Sequence, residues 1–216
     1  MRTHTRETQN GVSPDQALQY LKEGNERFMQ NLKANRNLLQ QVNETSTGQF
    51  PFAAILSCMD SRTSAELIFD QGLGDIFSIR VAGNVLNEDI LGSMEYGCAV
   101  AGSKLVLVLG HTKCGAIAGA CDHVELGNLT SLLHKVQPAL DEETQTKENR
   151  NSSNPEFVKN VTELNVKLTL DRVRRESTLL ADLENKGQIK LVGGVYCVDS
   201  GKVSFFEDSP AAGTSV

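Results

Sequence analysis

Short apolar runs alternate along the chain with segments whose apolar residues recur at helical spacing. The runs have the length of buried strands, and they lie at 52–57, 76–81, 105–109, 189–192, 195–198 and 203–206. The helical patterns lie at 17–32, 64–69, 87–102, 115–121, 129–140 and 154–187. This alternation predicts an α/β fold with a mostly parallel central β-sheet flanked by helices. The turn sequence Asp199-Ser-Gly-Lys202 predicts an antiparallel hairpin at the C-terminal end.

The N-terminal region begins with a helix signal. Ser13 is an N-cap residue, Pro14 suits the first helical position, and Gln16 completes a capping box. The polar stretch 43–48 then separates this region from the first apolar run. We therefore predict a single domain over residues 1–216, in which an N-terminal helical arm (1–48) precedes an α/β core (49–216).

Length, charge and cysteine content narrow the functional classes. The 216 residues suffice for one sizeable core, and the formal net charge of −6 leaves no Lys/Arg excess for nucleic acid. No apolar run reaches the roughly 18 residues that a membrane span requires, and no apolar segment follows the N-terminal charges as in a secretory signal. Five loosely spaced cysteines indicate reduced thiols or metal ligands, and hence a cytoplasmic protein.

Candidate metal ligands follow two of the predicted strands. Cys58 and Asp60 come after the first run, and His111 and Cys114 come after the third. The carboxyl ends of parallel strands meet at one edge of a sheet, so these four side chains are expected there together. Two thiols, an imidazole and a carboxylate suit Zn²⁺. The alternative is structural, with buried inert cysteines and a histidine whose hydrogen bonds are satisfied within the core.

The contacts of Arg62 determine whether Asp60 is available as a metal ligand. Its planar guanidinium can pair with both oxygens of Asp60 and so compete with a metal for that carboxylate. If Asp60 binds the metal, the site is closed. If Arg62 holds Asp60 away, a position is left for water, and the carboxylate can orient that water.

Three segments resemble the signature blocks of the β-class carbonic anhydrases: Cys58-Met-Asp-Ser-Arg62, Arg80-Val-Ala-Gly-Asn84 and Gly110-His-Thr-Lys-Cys-Gly-Ala-Ile117. The resemblance implies reversible hydration of CO₂ to bicarbonate and a proton by zinc-bound hydroxide, with one Zn²⁺ per chain. It also implies that the zinc ligands are Cys58, His111 and Cys114. Asp60 would either orient the hydroxide, as a dyad with Arg62, or close the site as a fourth ligand.

The same resemblance suggests which subgroup the chain is similar to. Plant-type members line the substrate pocket with residues whose positions are occupied here by Gln49, Phe77 and Tyr96. The pattern alone favours structural roles for Phe77 and Tyr96 and is compatible with a solvated loop amide at Gln49. Gly115 permits either close backbone approach of substrate or a tight entry into a helix. Closed members hold a non-catalytic bicarbonate with a tryptophan, an arginine and a tyrosine. Arg80 matches that arginine, but Ile55 stands at the tryptophan position and the chain has no tryptophan. We therefore expect an open site without that anion. The plant-type proton-shuttle position holds Val100.

Assembly is implied by the resemblance alone. Family members are homodimers or dimers of dimers, with pocket residues shared across the interface, and their small-molecule partners are CO₂ and bicarbonate. Two other functions use the same residues: hydrolysis of CS₂ or carbonyl sulfide on this scaffold, and non-catalytic binding of zinc or bicarbonate.

Overall fold

A five-stranded sheet forms the centre of the protein. The computed structural model describes residues 3–206. The strands are β1 (Ala53–Ser57), β2 (Ile76–Arg80), β3 (Leu105–His111), β4 (Lys190–Tyr196) and β5 (Val203–Phe205). Their order across the sheet is β2-β1-β3-β4-β5, and only the β4–β5 pair is antiparallel. The prediction of a mostly parallel sheet that ends in an antiparallel hairpin is confirmed.

Helices cover both faces of this sheet. They are α1 (Arg6–Asn10), α2 (Pro14–Met29), α3 (Leu38–Thr45), α4 (Ala65–Ile68), α5 (Glu88–Glu95), α6 (Gly115–Cys121), α7 (Gly127–Leu133), α8 (Gln137–Glu142), α9 (Pro155–Glu176) and α10 (Thr178–Asn185). Helices α2 and α4 pack on one face, and α5, α9 and α10 pack on the other. Among residues 3–206, no helix combines the length and apolar character that crossing a membrane requires.

Helix α2 packs against the sheet of its own chain. The predicted capping box of Ser13 and Gln16 is present. Ala17 and Leu21 are fully buried against β1 and β3. Gly24 allows this close packing, because a Cβ there would lie 1.8 Å from the carbonyl oxygen of Phe69. The division into an arm (1–48) and a core (49–216) stays a prediction, and residues 1–2 and 207–216 of that predicted domain lie outside the described part of the chain.

Several details of the predicted elements are wrong. The helical pattern over 129–140 is interrupted, because α7 ends at Leu133 and a 3₁₀ turn, His134–Val136, precedes α8. The helix predicted over 154–187 is two helices, since the chain leaves helical geometry at Ser177, whose hydroxyl bonds to Glu95 and caps α10. The runs 189–192 and 195–198 are not separate strands, because β4 continues through Gly193 and Gly194. A Cβ on Gly193 would lie 2.9 Å from side-chain atoms of α9, so glycine lets that helix lie close to the strand.

Candidate metal centre

Two loops at the carboxyl edge of the sheet bring three metal-binding side chains together. The first metal loop (residues 58–63) follows β1, and the second metal loop (residues 111–114) begins at the end of β3. Because β1 and β3 pair in parallel, both loops emerge side by side. Cys58, His111 and Cys114 are all buried, and their ligand atoms lie within 4.8 Å of one another. The predicted juxtaposition of the two strand ends is therefore present.

The donor set fits a zinc ion. The Nδ1 atom of His111 lies 3.0 Å from the carbonyl oxygen of Thr112, which assigns the ring proton to Nδ1. The Nε2 atom is buried and has no hydrogen-bond partner among residues 3–206. Its lone pair is thus available beside two sulfur atoms that lie 4.0 Å apart. One imidazole and two thiols are ligands that zinc favours, and a metal ion explains the otherwise unpaired nitrogen.

The contact between the two thiols shifts their pKa values in opposite directions. The sulfur atoms of Cys58 and Cys114 share a hydrogen bond, and this bond, together with the backbone N–H groups of Asp60 and Gly83, lowers the pKa of Cys58 well below its ordinary value. The same pairing and burial raise the pKa of Cys114. Metal binding uses the thiolate form of cysteine, and a divalent cation would compensate the charges of both thiolates in this buried site.

Asp60 faces the same space but is held by Arg62. Arg62 Nε donates to Asp60 Oδ1 at 2.9 Å and Nη2 donates to Oδ2 at 2.7 Å, and the Arg62 backbone N–H adds a third bond. Asp60 Oδ2 also lies 3.9 Å from His111 Nε2. The hydrogen bonds from Arg62 keep the pKa of Asp60 far below its usual range, so this carboxylate is ionised at neutral pH. Asp60 therefore lies near the candidate ligands, and both of its carboxylate oxygens accept hydrogen bonds from the Arg62 guanidinium.

Arg80 supports the first metal loop from the edge strand. Its Nε donates to the carbonyl of Cys58 at 3.2 Å, and its Nη2 donates to the carbonyl of Asp60 at 2.7 Å. The Thr63 hydroxyl bonds to the same two carbonyls from within the loop. The sequence identifies Arg80 only through its resemblance to an anion-binding position in a signature block. Its contacts to main-chain oxygens depend on the pairing of β2 with β1, which no local pattern reveals.

The comparisons with known proteins agree with this geometry. The carbonic anhydrase family model matches residues 53–203. The solved structure of the β-carbonic anhydrase CafA of Aspergillus fumigatus superimposes with a TM-score of 0.69 at 27% identity, over 91% of this chain and 92% of that one. The chain belongs to the β-class carbonic anhydrase family. Members of this family use zinc, and Cys58, His111 and Cys114 form the group positioned to bind it.

Sequence relatives give the same family. Carbonic anhydrase 2 of Mycobacterium tuberculosis is 44% identical over 121 residues, which is 55% of this chain and 58% of that protein. The carbonic anhydrase of Pseudomonas aeruginosa is 28% identical over 170 residues, which is 76% of this chain and 77% of that protein. The first of these matches thus spans little more than half of the relative's length.

The residues predicted to line a β-carbonic anhydrase pocket lie partly together. The rings of Phe77 on β2 and Tyr96 beyond α5 meet edge to face at 6.2 Å between centroids, and Tyr96 is 50% exposed. Gln49 is exposed before β1. No hydrogen bond or ring contact joins these three to the metal loops within the described chain. Gly115 directly follows Cys114, and a Cβ added there would meet nothing within 4 Å, so this residue borders open space.

Proposed function

We propose that this protein catalyses the reversible hydration of carbon dioxide to bicarbonate and a proton, with one zinc ion held by Cys58, His111 and Cys114. The observation that carries the proposal is the convergence of these three buried side chains beside the Asp60–Arg62 pair. A structural zinc site needs four protein ligands, whereas here the fourth candidate, Asp60, is bound by a guanidinium. Family membership points to the same reaction.

The chain's own residues orient the reactants. Zinc, when bound, supplies Lewis acidity that lowers the pKa of a water molecule toward neutrality. Asp60 is an ionised acceptor 3.9 Å from the ligand nitrogen of His111, so it can accept a hydrogen bond from the attacking water and direct an oxygen lone pair at carbon. Arg62 fixes both oxygens of Asp60. The open space beside Gly115 supplies room for a small linear substrate.

We further propose that the site is the open form, without a bound non-catalytic bicarbonate. Two features support this. Arg62 occupies both oxygens of Asp60, which keeps the carboxylate from serving as a fourth ligand. Arg80, the residue that would hold the anion, already donates two hydrogen bonds to carbonyls of the first metal loop.

The proposed assembly is a homodimer or a dimer of dimers that shares Gln49, Phe77 and Tyr96 between protomers. The edge strand β2 has one side without a partner strand in the described chain, and edge strands are ready to pair with another copy. Phe77 lies on that strand, and the exposed Tyr96 packs against it. Sedimentation velocity combined with activity tests this proposal. A fully active monomer would show that the pocket is complete within one chain.

A reducing compartment such as the cytoplasm is proposed from the cysteines. All five are free thiols, and four of them are buried. Alkylation of denatured protein from freshly broken cells, followed by mass spectrometry, tests this. Five alkylated cysteines are expected, and a native disulfide would contradict the proposal.

Stopped-flow CO₂ hydration with a pH indicator tests the activity. Protein of measured zinc content is assayed at mildly alkaline pH, with carbonyl sulfide and CS₂ as parallel substrates. Turnover of CO₂ in proportion to bound zinc is expected. Zinc-replete protein that turns over only the sulfur analogues is a hydrolase, and zinc-replete protein without any turnover is a binding protein, so either result overturns the proposal.

The variant Arg62→Ala tests the role of the Asp60–Arg62 pair. It removes two of the three bonds that fix the carboxylate, so kcat/KM is expected to fall about 10²-fold to 10³-fold, the usual effect of losing one preorganised polar group, while zinc remains bound. Arg172→Ala is the control, because Arg172 pairs with Glu176 on the surface of α9. Near-normal activity of Arg62→Ala would show that Asp60 needs no partner.

A further inference from the structure

A tight turn lies between the long helix α9 and the thiols of the candidate metal centre, and it contacts both. This turn, Ala82–Asn84, follows β2, and Gly83 within it has a positive φ of 65°. The Gly83 N–H donates to Cys58 Sγ at 3.4 Å, and the Gly83 carbonyl oxygen accepts a hydrogen bond from α9. A Cβ on Gly83 would also lie 3.3 Å from the Cβ of Ala116, two residues beyond Cys114. The turn therefore contacts both segments that supply thiols.

Asn165 holds this turn from the middle of α9. Its Nδ2 donates to the Gly83 carbonyl at 3.0 Å, and both groups are buried. Asparagine is a poorer helix former than alanine or leucine, and burial of an amide is unfavourable without hydrogen bonds. An apolar residue would therefore suit this position in the helix better. The polar side chain is explained by the carbonyl it binds.

The Gly83 donor matters because few groups reach the sulfur of Cys58. The N–H of Asp60 also donates to it at 3.4 Å, but that bond is formed within the first metal loop itself. The Gly83 bond comes from 25 residues away and requires the turn to keep its place. Hydrogen bonds to a metal-bound sulfur stabilise its lone pairs, and they hold the ligand in a fixed orientation.

We propose that Asn165 is a positioning residue for the metal centre: through the Gly83 carbonyl it fixes the turn whose N–H donates to the Cys58 thiolate. The inference rests on the proposed function in one respect, namely that Cys58 is a metal ligand. Helix α9 contributes no candidate ligand, but through Asn165 and Gly83 it influences the electron density on the Cys58 sulfur. A merely structural role for Asn165 would affect stability and leave the metal unchanged.

The test uses the full-length protein with cobalt(II) in place of zinc, because the sulfur-to-cobalt charge-transfer band reports on the thiolates. Asn165→Leu keeps the side-chain size and removes the donor. We expect its band to move to longer wavelength and the zinc affinity, measured by chelator competition, to fall about 10-fold. Thr169→Val is the matched control, since Thr169 is buried one turn farther along α9 and has no bond to the turn. We expect both of its readouts to match wild type.

The positioning role and the proposed function fail on different results. A band and an affinity in Asn165→Leu that equal wild type would overturn the positioning role and leave the proposed function intact. An equal shift in Thr169→Val would also overturn it, because the effect would then be general loosening of α9. A wild-type cobalt protein without any sulfur band would overturn both proposals. If Asn165→Leu fails to fold, Asn165→Ala replaces it, since alanine removes the donor, adds no bulk and suits a helix.

Discussion

Asp70 is a buried carboxylate in the turn after α4 that binds the N-terminal segment, and its replacement by asparagine has a calculable effect. Its side chain is 6% exposed and accepts bonds from Arg27 Nε and Arg36 Nη1, each at 2.5 Å, and from the Ala34 N–H at 3.1 Å. Asparagine retains the shape and tolerates the positive φ of 45° at this position. Asp70→Asn therefore removes the charge and changes little else.

The expected loss of stability follows from the burial of Arg36. That side chain is 7% exposed, so in the variant its charge stays buried beside a neutral amide, while the backbone carbonyl of residue 70 still accepts one of its bonds. Breaking a buried ion pair from one side costs about 3–5 kcal/mol, and the remaining carbonyl bond favours the lower value. For a chain of this size, about 3 kcal/mol corresponds to a decrease in Tm of roughly 6–12 °C.

The effect of Asp70→Asn also depends on pH in a fixed direction. Burial alone would raise the pKa of Asp70, but the bonds from Arg27, Arg36 and Ala34 outweigh it and lower the pKa below the usual value. A carboxyl with a lowered native pKa stabilises the fold above the unfolded pKa of about 3.9, and this stabilisation is lost as pH falls through the native pKa. The difference in Tm between wild type and variant should therefore shrink under acid conditions.

Differential scanning calorimetry at pH 7 and at several acidic pH values measures both effects. Glu176→Gln is the control, because Glu176 belongs to an exposed i,i+4 pair with Arg172 that should contribute less than about 0.5 kcal/mol. A loss below 1 kcal/mol for Asp70→Asn at pH 7, or a difference from wild type that stays constant on acidification, would refute the reasoning.

Two further predictions concern Gly24 and Cys197. Gly24→Ala should destabilise the protein in urea unfolding by about 1–3 kcal/mol, because its Cβ would collide with the Phe69 carbonyl. The matched change Gly92→Ala, where nothing lies within 4 Å, should stabilise by about 0.5–1 kcal/mol, and equal effects of the two would contradict the packing argument. Cys197, the one cysteine that is not buried, should react first with iodoacetamide. Hydrogen bonding from the Ser200 hydroxyl lowers the pKa of Cys197, so the pH midpoint of alkylation should lie below that of an ordinary thiol and rise in Ser200→Ala. An unchanged midpoint would exclude that hydrogen bond.

Sequence reasoning predicts the features that depend on local pattern. The buried strand β1 is a continuous apolar run, so its end, and with it the position of Cys58, is visible in the sequence. The same holds for β3 and His111. Once both strands belong to one parallel sheet, general topology places the two residues side by side. The hydrophobic pattern and the residues that follow it therefore sufficed to group four candidate ligands, whereas the choice of Cys58, His111 and Cys114 among them came from the family resemblance.

Features that depend on contacts between distant segments were not predictable. The end of α9 at Ser177 is stabilised by a bond to Glu95, which lies 82 residues earlier. Arg80 and Asn165 act through main-chain carbonyls, which have no signature in the sequence. Gly24 lowers helix propensity, and its benefit becomes evident only when the backbone of Phe69 is seen against it.

The separation of the two thiols along the chain has a consequence for the kinetics of folding. Cys58 and Cys114 are 56 residues apart and meet only because β1 and β3 pair in parallel. Parallel pairing requires a long crossover, so the entropy of closing a large loop must be offset before the thiols come together. The metal-binding group is thus a late product of folding, and an unfolded chain has no corresponding site. Zinc should leave the refolding rate unchanged and slow unfolding, so it prolongs the lifetime of a native state whose formation it does not direct.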